Sequence, residues 1–174
     1  SLQVQLNPLL KSTSNFRVAA DKKGYSKNVK SGKYRLLKGL GNNEIINLLR
    51  SKRLAVKVVF NNQERLEDLA GRISQQIDAD SISLLSAFYD TEFLSENGFT
   101  RDNALTLYLP NSYDFFWDTS AEDFRKKMLS YYNRFWNDSR RAKAATLGLK
   151  PQEVSILASI VQKESPKRDE QARV

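Results

Sequence analysis

The clearest chemistry in this 174-residue chain lies in the segment Pro151-Gln152-Glu153-Val154-Ser155-Ile156-Leu157-Ala158-Ser159-Ile160-Val161-Gln162-Lys163-Glu164-Ser165-Pro166. On a helix Leu157, Ile160 and Val161 share a face, and Glu164 follows them by seven, four and three residues. Its carboxylate therefore belongs to the apolar stripe. A carboxyl group shielded from water there resists ionisation and stays available to protonate a leaving oxygen near neutral pH. The competing reading is a helix-end residue whose side chain turns out to water, and spacing alone leaves both open. Glu153 and Lys163 fall elsewhere on the helix and read as surface.

Missing residue types narrow the reaction classes. Without cysteine there is no thiol nucleophile, disulfide or thiolate metal site. Without histidine the Ser–His–Asp triad and the usual zinc ligand sets are excluded. Acid–base chemistry must then come from Asp, Glu, Lys or Tyr. No P-loop, Gly-x-Gly-x-x-Gly or Gly-x-Ser-x-Gly pattern occurs.

Aromatic residues are the second chemical feature: ten of the 18 lie between Tyr108 and Trp136. Flat rings with polar edges suit sugar faces and equally suit a core. Phe124, Tyr131 and Phe135 keep helical spacing and read as core. Tyr108, Asn111, Tyr113 and Trp117 sit in or beside a segment after Pro110 that reads as a loop, where binding groups often gather. Core and ligand readings stand level for these four.

The elements that must position these groups form an α+β pattern. A loose helical pattern covers 4–23, followed by a basic loop to Gly32 and a short strand at Tyr34–Leu37. Helix spacing then runs from Asn43 to Lys52, and Val56–Phe60 is a strand rich in β-branched residues. Glu64–Ile77 is amphipathic, with short helices at Ser81–Tyr89 and Thr91–Glu96 and a helical turn at 102–104. Thr106–Pro110 reads as extended. Ser120 opens a long helix to about Asn137, continued by basic residues to Leu147 with Gly148 as its C-cap. A last helix, Gln152–Glu164, begins beside Pro151 and stops at Pro166.

Charge divides the chain. Residues 1–53 carry twelve Lys/Arg against Asp21 and Glu44, a net +10, whereas 54–174 carry a net −2. The basic front is either a solvated surface or a contact for a polyanion, whether nucleic acid, anionic lipid or an anionic wall polymer. No run approaches the roughly 18 apolar residues of a membrane span, and the first residues do not read as a signal peptide.

Two blocks resemble one family. Leu109-Pro110-Asn111-Ser112-Tyr113-Asp114-Phe115 is similar to the Pro-x-x-Tyr-x-Phe block of YceG-like (MltG-type) endolytic murein transglycosylases, and Leu157–Ser165 to their Ala-Ser-Ile-(Ile/Val)-Glu-Lys-Glu-Thr block. Members also carry the label aminodeoxychorismate lyase, which is not a mechanistic guide. The family's catalytic glutamate falls on Glu164, Gln162 replaces the glutamate before it, and Ser165 replaces the threonine. The resemblance implies a LysM-like unit at 31–80 behind a basic segment at 1–30, and the first part of the catalytic domain at 81–174. It implies a single-pass inner-membrane protein of the bacterial periplasm, acting without cofactor on peptidoglycan glycan strands, with cell-wall synthesis enzymes as possible partners and no nucleic acid. The expected reaction cuts between N-acetylmuramic acid and N-acetylglucosamine to leave 1,6-anhydro ends. Family segments that follow the glutamate block have no counterpart before Val174, so this chain is expected to be a truncated, inactive piece. The alternative is a non-catalytic glycan-binding module.

Overall fold

A computed structural model describes Leu6 and residues 10–164. Leu9, Ser165, Pro166 and Glu170 lie outside the described residues, and with them the expected helix stop at Pro166. The fold is mostly helical with one two-stranded antiparallel sheet, α+β overall. Two compact units are formed, residues 1–57 with 114–118 and residues 58–113 with 119–174. Strands β1 (Ala55–Phe60) and β2 (Asn111–Phe116) each contribute residues to both.

In the first unit Ser12 caps α1 (Thr13–Lys22), which buries Phe16 and Ala20 at a spacing of four. Helix α2 (Asn42–Ser51) is opened by Glu44, whose carboxylate accepts from the Gly41 amide at 2.7 Å. It buries Ile45, Ile46 and Leu49 against Phe16, Ala20, Tyr25 and Leu6. Burial pushes the Tyr25 hydroxyl up to about 12, with Tyr34 adding to the effect. The expected strand at Tyr34–Leu37 does not form. A single antiparallel bridge joins Lys33 to Leu54, and Tyr34 and Leu36 pack on the core edge in extended chain while β1 takes β2 as its partner. Arg53 closes this unit. Its guanidinium reaches both Asp118 oxygens at 2.9 and 2.7 Å and lies 4.2 Å over the Phe116 ring, and Ser31 donates to the same carboxylate.

In the second unit α3 (Leu66–Ser74) buries Leu66, Leu69, Ala70 and Ile73 and packs on α4 (Ser81–Phe88). Asp80 caps α4 through the Ser83 amide at 2.8 Å, and Asp90 caps α5 (Thr91–Glu96) through the Phe93 amide at 3.2 Å. Carboxylates at these helix starts suit both the orphan amides and the helix dipole. Gly98 ends α5 at φ +75, a backbone that a side chain would strain.

The aromatic region partly departs from expectation. Thr106–Pro110 is not a strand: a 3₁₀ turn covers Ala104–Leu107, and the strand starts after the proline. Within β2, Tyr113 and Phe115 point inward while Asp114 and Phe116 are exposed, the two-residue period of a half-buried strand. The long helix breaks. Helix α6 (Ala121–Phe135) ends where Trp136 leaves the helical region, and Asn137 caps a separate α7 (Asp138–Thr146), which Gly148 closes at φ +70. The buried face of α6 is Ala121, Phe124, Arg125, Met128 and Tyr132, while Tyr131 is half-buried and Phe135 is exposed beneath Arg140.

Arg125 carries a buried charge. Its Nη1 donates to the Ala87 carbonyl at 2.6 Å and to Asp90 at 2.8 Å, and the guanidinium lies 3.8 Å over the Phe93 ring. One side chain thus ties α6 to the end of α4 and the cap of α5. Its hydrogen bond, and then the Phe93 amide, hold the Asp90 carboxyl below the usual carboxylate range.

Candidate functional site

Glu164 is the last described residue of α8 (Pro151–Glu164), and the helix expected over Gln152–Glu164 is present. Pro151 opens this helix, and Glu153 accepts from the Lys150 amide at 2.7 Å. Gln152 fastens the first turn by donating to the Gly98 carbonyl at 3.0 Å, and α8 packs against the Ala104–Leu107 turn. Val154 and Val161 are half-buried.

The apolar stripe does not shield Glu164. Leu157 and Ile160 are each 51% exposed, no residue of α8 is buried, and Glu164 itself is exposed. The desolvation expected from helical spacing needs neighbours on that face, and there only Val161 is half-buried while Leu157, Ile160 and Glu164 stay exposed. Its last turn is held by polar contacts. Asn62 Nδ2 donates to Gln162 Oε1, and Lys163 Nζ donates to Glu64 Oε1. The Lys163 hydrogen bond, and then its charge, lower the Glu64 carboxyl below its ordinary value.

The aromatic candidates separate by burial. Tyr108 is packed between Phe88, at 4.5 Å centroid distance, and Phe124, on which it stacks; burial raises its hydroxyl far above the ordinary tyrosine value. Tyr113 stacks on Phe60, tilts against Tyr131 and donates to the Leu109 carbonyl at 2.5 Å. Burial pushes its hydroxyl up to about 12. Both rings therefore serve the core. Asn111 is exposed, with its side chain turned onto the Ser112 amide at 2.7 Å. Trp117 is also exposed but belongs to the first unit. Tyr108, Asn111 and Tyr113 share a unit with Glu164, yet among the described residues none bonds to it.

With this geometry in view, comparison with protein families is decisive: the sequence profile of the YceG-like family matches residues 2–174. The chain belongs to the YceG-like family. No curated protein and no solved structure matches it. Among the described residues no helix is long and apolar enough to cross a membrane.

In this YceG-like chain the residues missed from sequence are Asn62, Glu64 and Arg125. Asn62 and Glu64 act on partners about 100 positions away, as the separations of 100 and 99 record, and the Asn61-Asn62 pair signals only a turn. Arg125 was findable: it stands four residues after Ala121, three before Met128 and seven before Tyr132, on their buried face.

Proposed function

We propose that this YceG-like chain is part of an endolytic peptidoglycan transglycosylase in which Glu164 is the catalytic acid and base. The observation that carries the reading is the placement of Glu164 at the end of α8, in the Ala-Ser-Ile-Val-Gln-Lys-Glu block of a chain whose family match runs from residue 2 to 174. The protonated carboxyl donates its proton to the glycosidic oxygen between N-acetylmuramic acid and N-acetylglucosamine, and that carbon–oxygen bond breaks. The same carboxylate then takes the proton of the muramic acid C6 hydroxyl as its oxygen bonds the anomeric carbon. A 1,6-anhydro end results and no water is consumed, in contrast to glycosidases that use two carboxyl groups. One group thus serves in both directions.

The exposure of α8 adds a condition. A general acid works best when its environment keeps it protonated near the working pH, and the face of α8 that carries Glu164 is open to solvent. Bound glycan, or further protein laid on Leu157 and Ile160, is the source we assign to it. By the same reading the protein is anchored in the bacterial inner membrane facing the cell wall. The LysM-like character of 31–80 belongs to this proposal too, as do Asn111 and Trp117 as glycan contacts.

Mass analysis of muropeptides after digestion by the intact protein tests the reading. We expect 1,6-anhydro ends from the wild type and a fall of about 10²–10⁴-fold for Glu164→Gln, since the amide can neither give nor take the proton. Near-normal turnover by Glu164→Gln at matched thermal stability removes Glu164 from the mechanism and leaves a glycan-binding module as the better account.

A further inference from the structure

Apolar packing holds the end of α8 only through half-buried Val161. The helix has no buried residue, and Ile160 and Leu157, the apolar positions one and two turns before Glu164, face water. The segment between β1 and α3 holds it, with Asn62 on Gln162 and Glu64 on Lys163. Successive helix residues point roughly 100° apart. Contacts to two of them therefore oppose both rolling of the helix about its axis and sideways swing of its last turn, where one contact would stop only the swing. Glu164 is the next residue. The Lys163 ammonium is also taken up by Glu64, and so is directed to that segment and not to its neighbour Glu164.

We propose that Asn62 and Glu64 are positioning residues that fix the direction of the Glu164 carboxylate by gripping Gln162 and Lys163. The inference rests on the reading of Glu164 as acid and base, and it adds two residues that the glutamate block does not contain. The Lys163–Glu64 pair is largely exposed on both sides, and such pairs add little to global stability. Their effect is local: they set how often the last turn opens while the rest of the unit stays folded.

Amide hydrogen exchange on this chain reads the grip without any need for activity. In Asn62→Ala or Glu64→Gln we expect exchange at 161–164 to quicken about two- to fivefold, with the amides of α6 unchanged. The charge-exchanged double variant Glu64→Lys with Lys163→Glu should bring it back toward the wild-type rate. In the intact protein Glu64→Gln should lower kcat about tenfold and leave KM within about twofold, because a misdirected acid harms the transition state more than binding. Unchanged exchange at 161–164 overturns the grip. Quickened exchange with unchanged kcat overturns the positioning role. No turnover by the intact wild type overturns the transglycosylase reading and the positioning role with it, while the exchange data still decide whether the grip exists.

Discussion

Removing the buried charge of Arg125 should weaken the second unit more than any change at its surface. In Arg125→Met the Ala87 carbonyl loses its donor, Asp90 loses its countercharge, and the stack on Phe93 is replaced by a flexible thioether. Hydrogen bonds that involve a charged group contribute about 1.5–3 kcal/mol each. Two offsets apply. The Asp90 side chain is 40% exposed and can recover water, and methionine relieves the desolvation of a guanidinium that is only 7% exposed. A net loss of about 2–3 kcal/mol is expected, a large part of a total of about 5–15 kcal/mol. With a urea slope of about 2 kcal/mol per molar, the unfolding midpoint should fall by roughly 1–1.5 M. Arg125→Lys should lie between, because an ammonium keeps the charge but not the planar guanidinium that stacks 3.8 Å over Phe93. Asp90→Asn should cost less than Arg125→Met, since the amide oxygen can still cap Phe93. A midpoint for Arg125→Met equal to or above the wild type would refute the reasoning and place this arginine among the ion networks that apolar residues replace without loss.

Phe124 is fully buried against Phe88 and Tyr108, so Phe124→Ala should cost about 3–5 kcal/mol by urea denaturation. The paired substitution Leu157→Ser with Ile160→Ser should change the stability of this chain by less than about 0.5 kcal/mol, because both side chains already face water; a larger loss would show that the face is covered. Stability should also fall in acid. Glu64, Glu67, Asp80 and Asp90 all have folded-state values held below their ordinary ones. Their contribution is complete above the unfolded carboxylate range, near pH 4–5, and is lost as pH drops through the lower folded values. Urea midpoints at pH 7, 5 and 3 check this, and Asp90→Asn should flatten the decline.

How far the fold was legible depended on whether a signal was local. Helix starts were, because a cap needs only a few neighbouring residues. Ser120 does accept from the Asp123 amide, and α4 and α5 begin at Ser81 and Thr91 as their preceding aspartates suggest. The break at Trp136 was also written locally, in Asn137 followed by Asp138, but the helix-forming Arg140, Arg141, Ala142 and Lys143 beyond it hid the cap. Strands were harder. Val56–Phe60 showed itself by composition, whereas Tyr34–Leu37 forms no ladder and only Lys33 beside it makes a bridge, since a strand exists only where another chain segment completes its ladder. Pro110 misled in the opposite direction: it marks the start of β2, a position where proline's missing amide is tolerated, and not the end of a strand.

The candidate site divides along the same line. The position of Glu164 on α8 follows from helical period, which is local, so the helix itself was legible. Its environment is a tertiary property, and amphipathic spacing says which residues share a face without saying that the face is covered. Leu157 and Ile160 share one with Glu164 and still lie in water. The aromatic region shows the converse. Tyr108 lies beside the expected loop and Tyr113 within it, yet Phe88, Phe124, Phe60 and Tyr131 close over them. Burial was thus left open in both places for one physical reason: whether a side chain meets solvent is decided by partners distant in sequence. For a glutamate proposed to hold a proton near neutral pH, that partner is the decisive missing quantity. Asn62 and Glu64 can set where the carboxylate points, but as polar, exposed groups they cannot dry it. Direction and desolvation therefore have separate sources in this chain, the first in the segment after β1 and the second in whatever comes to lie on the open face of α8.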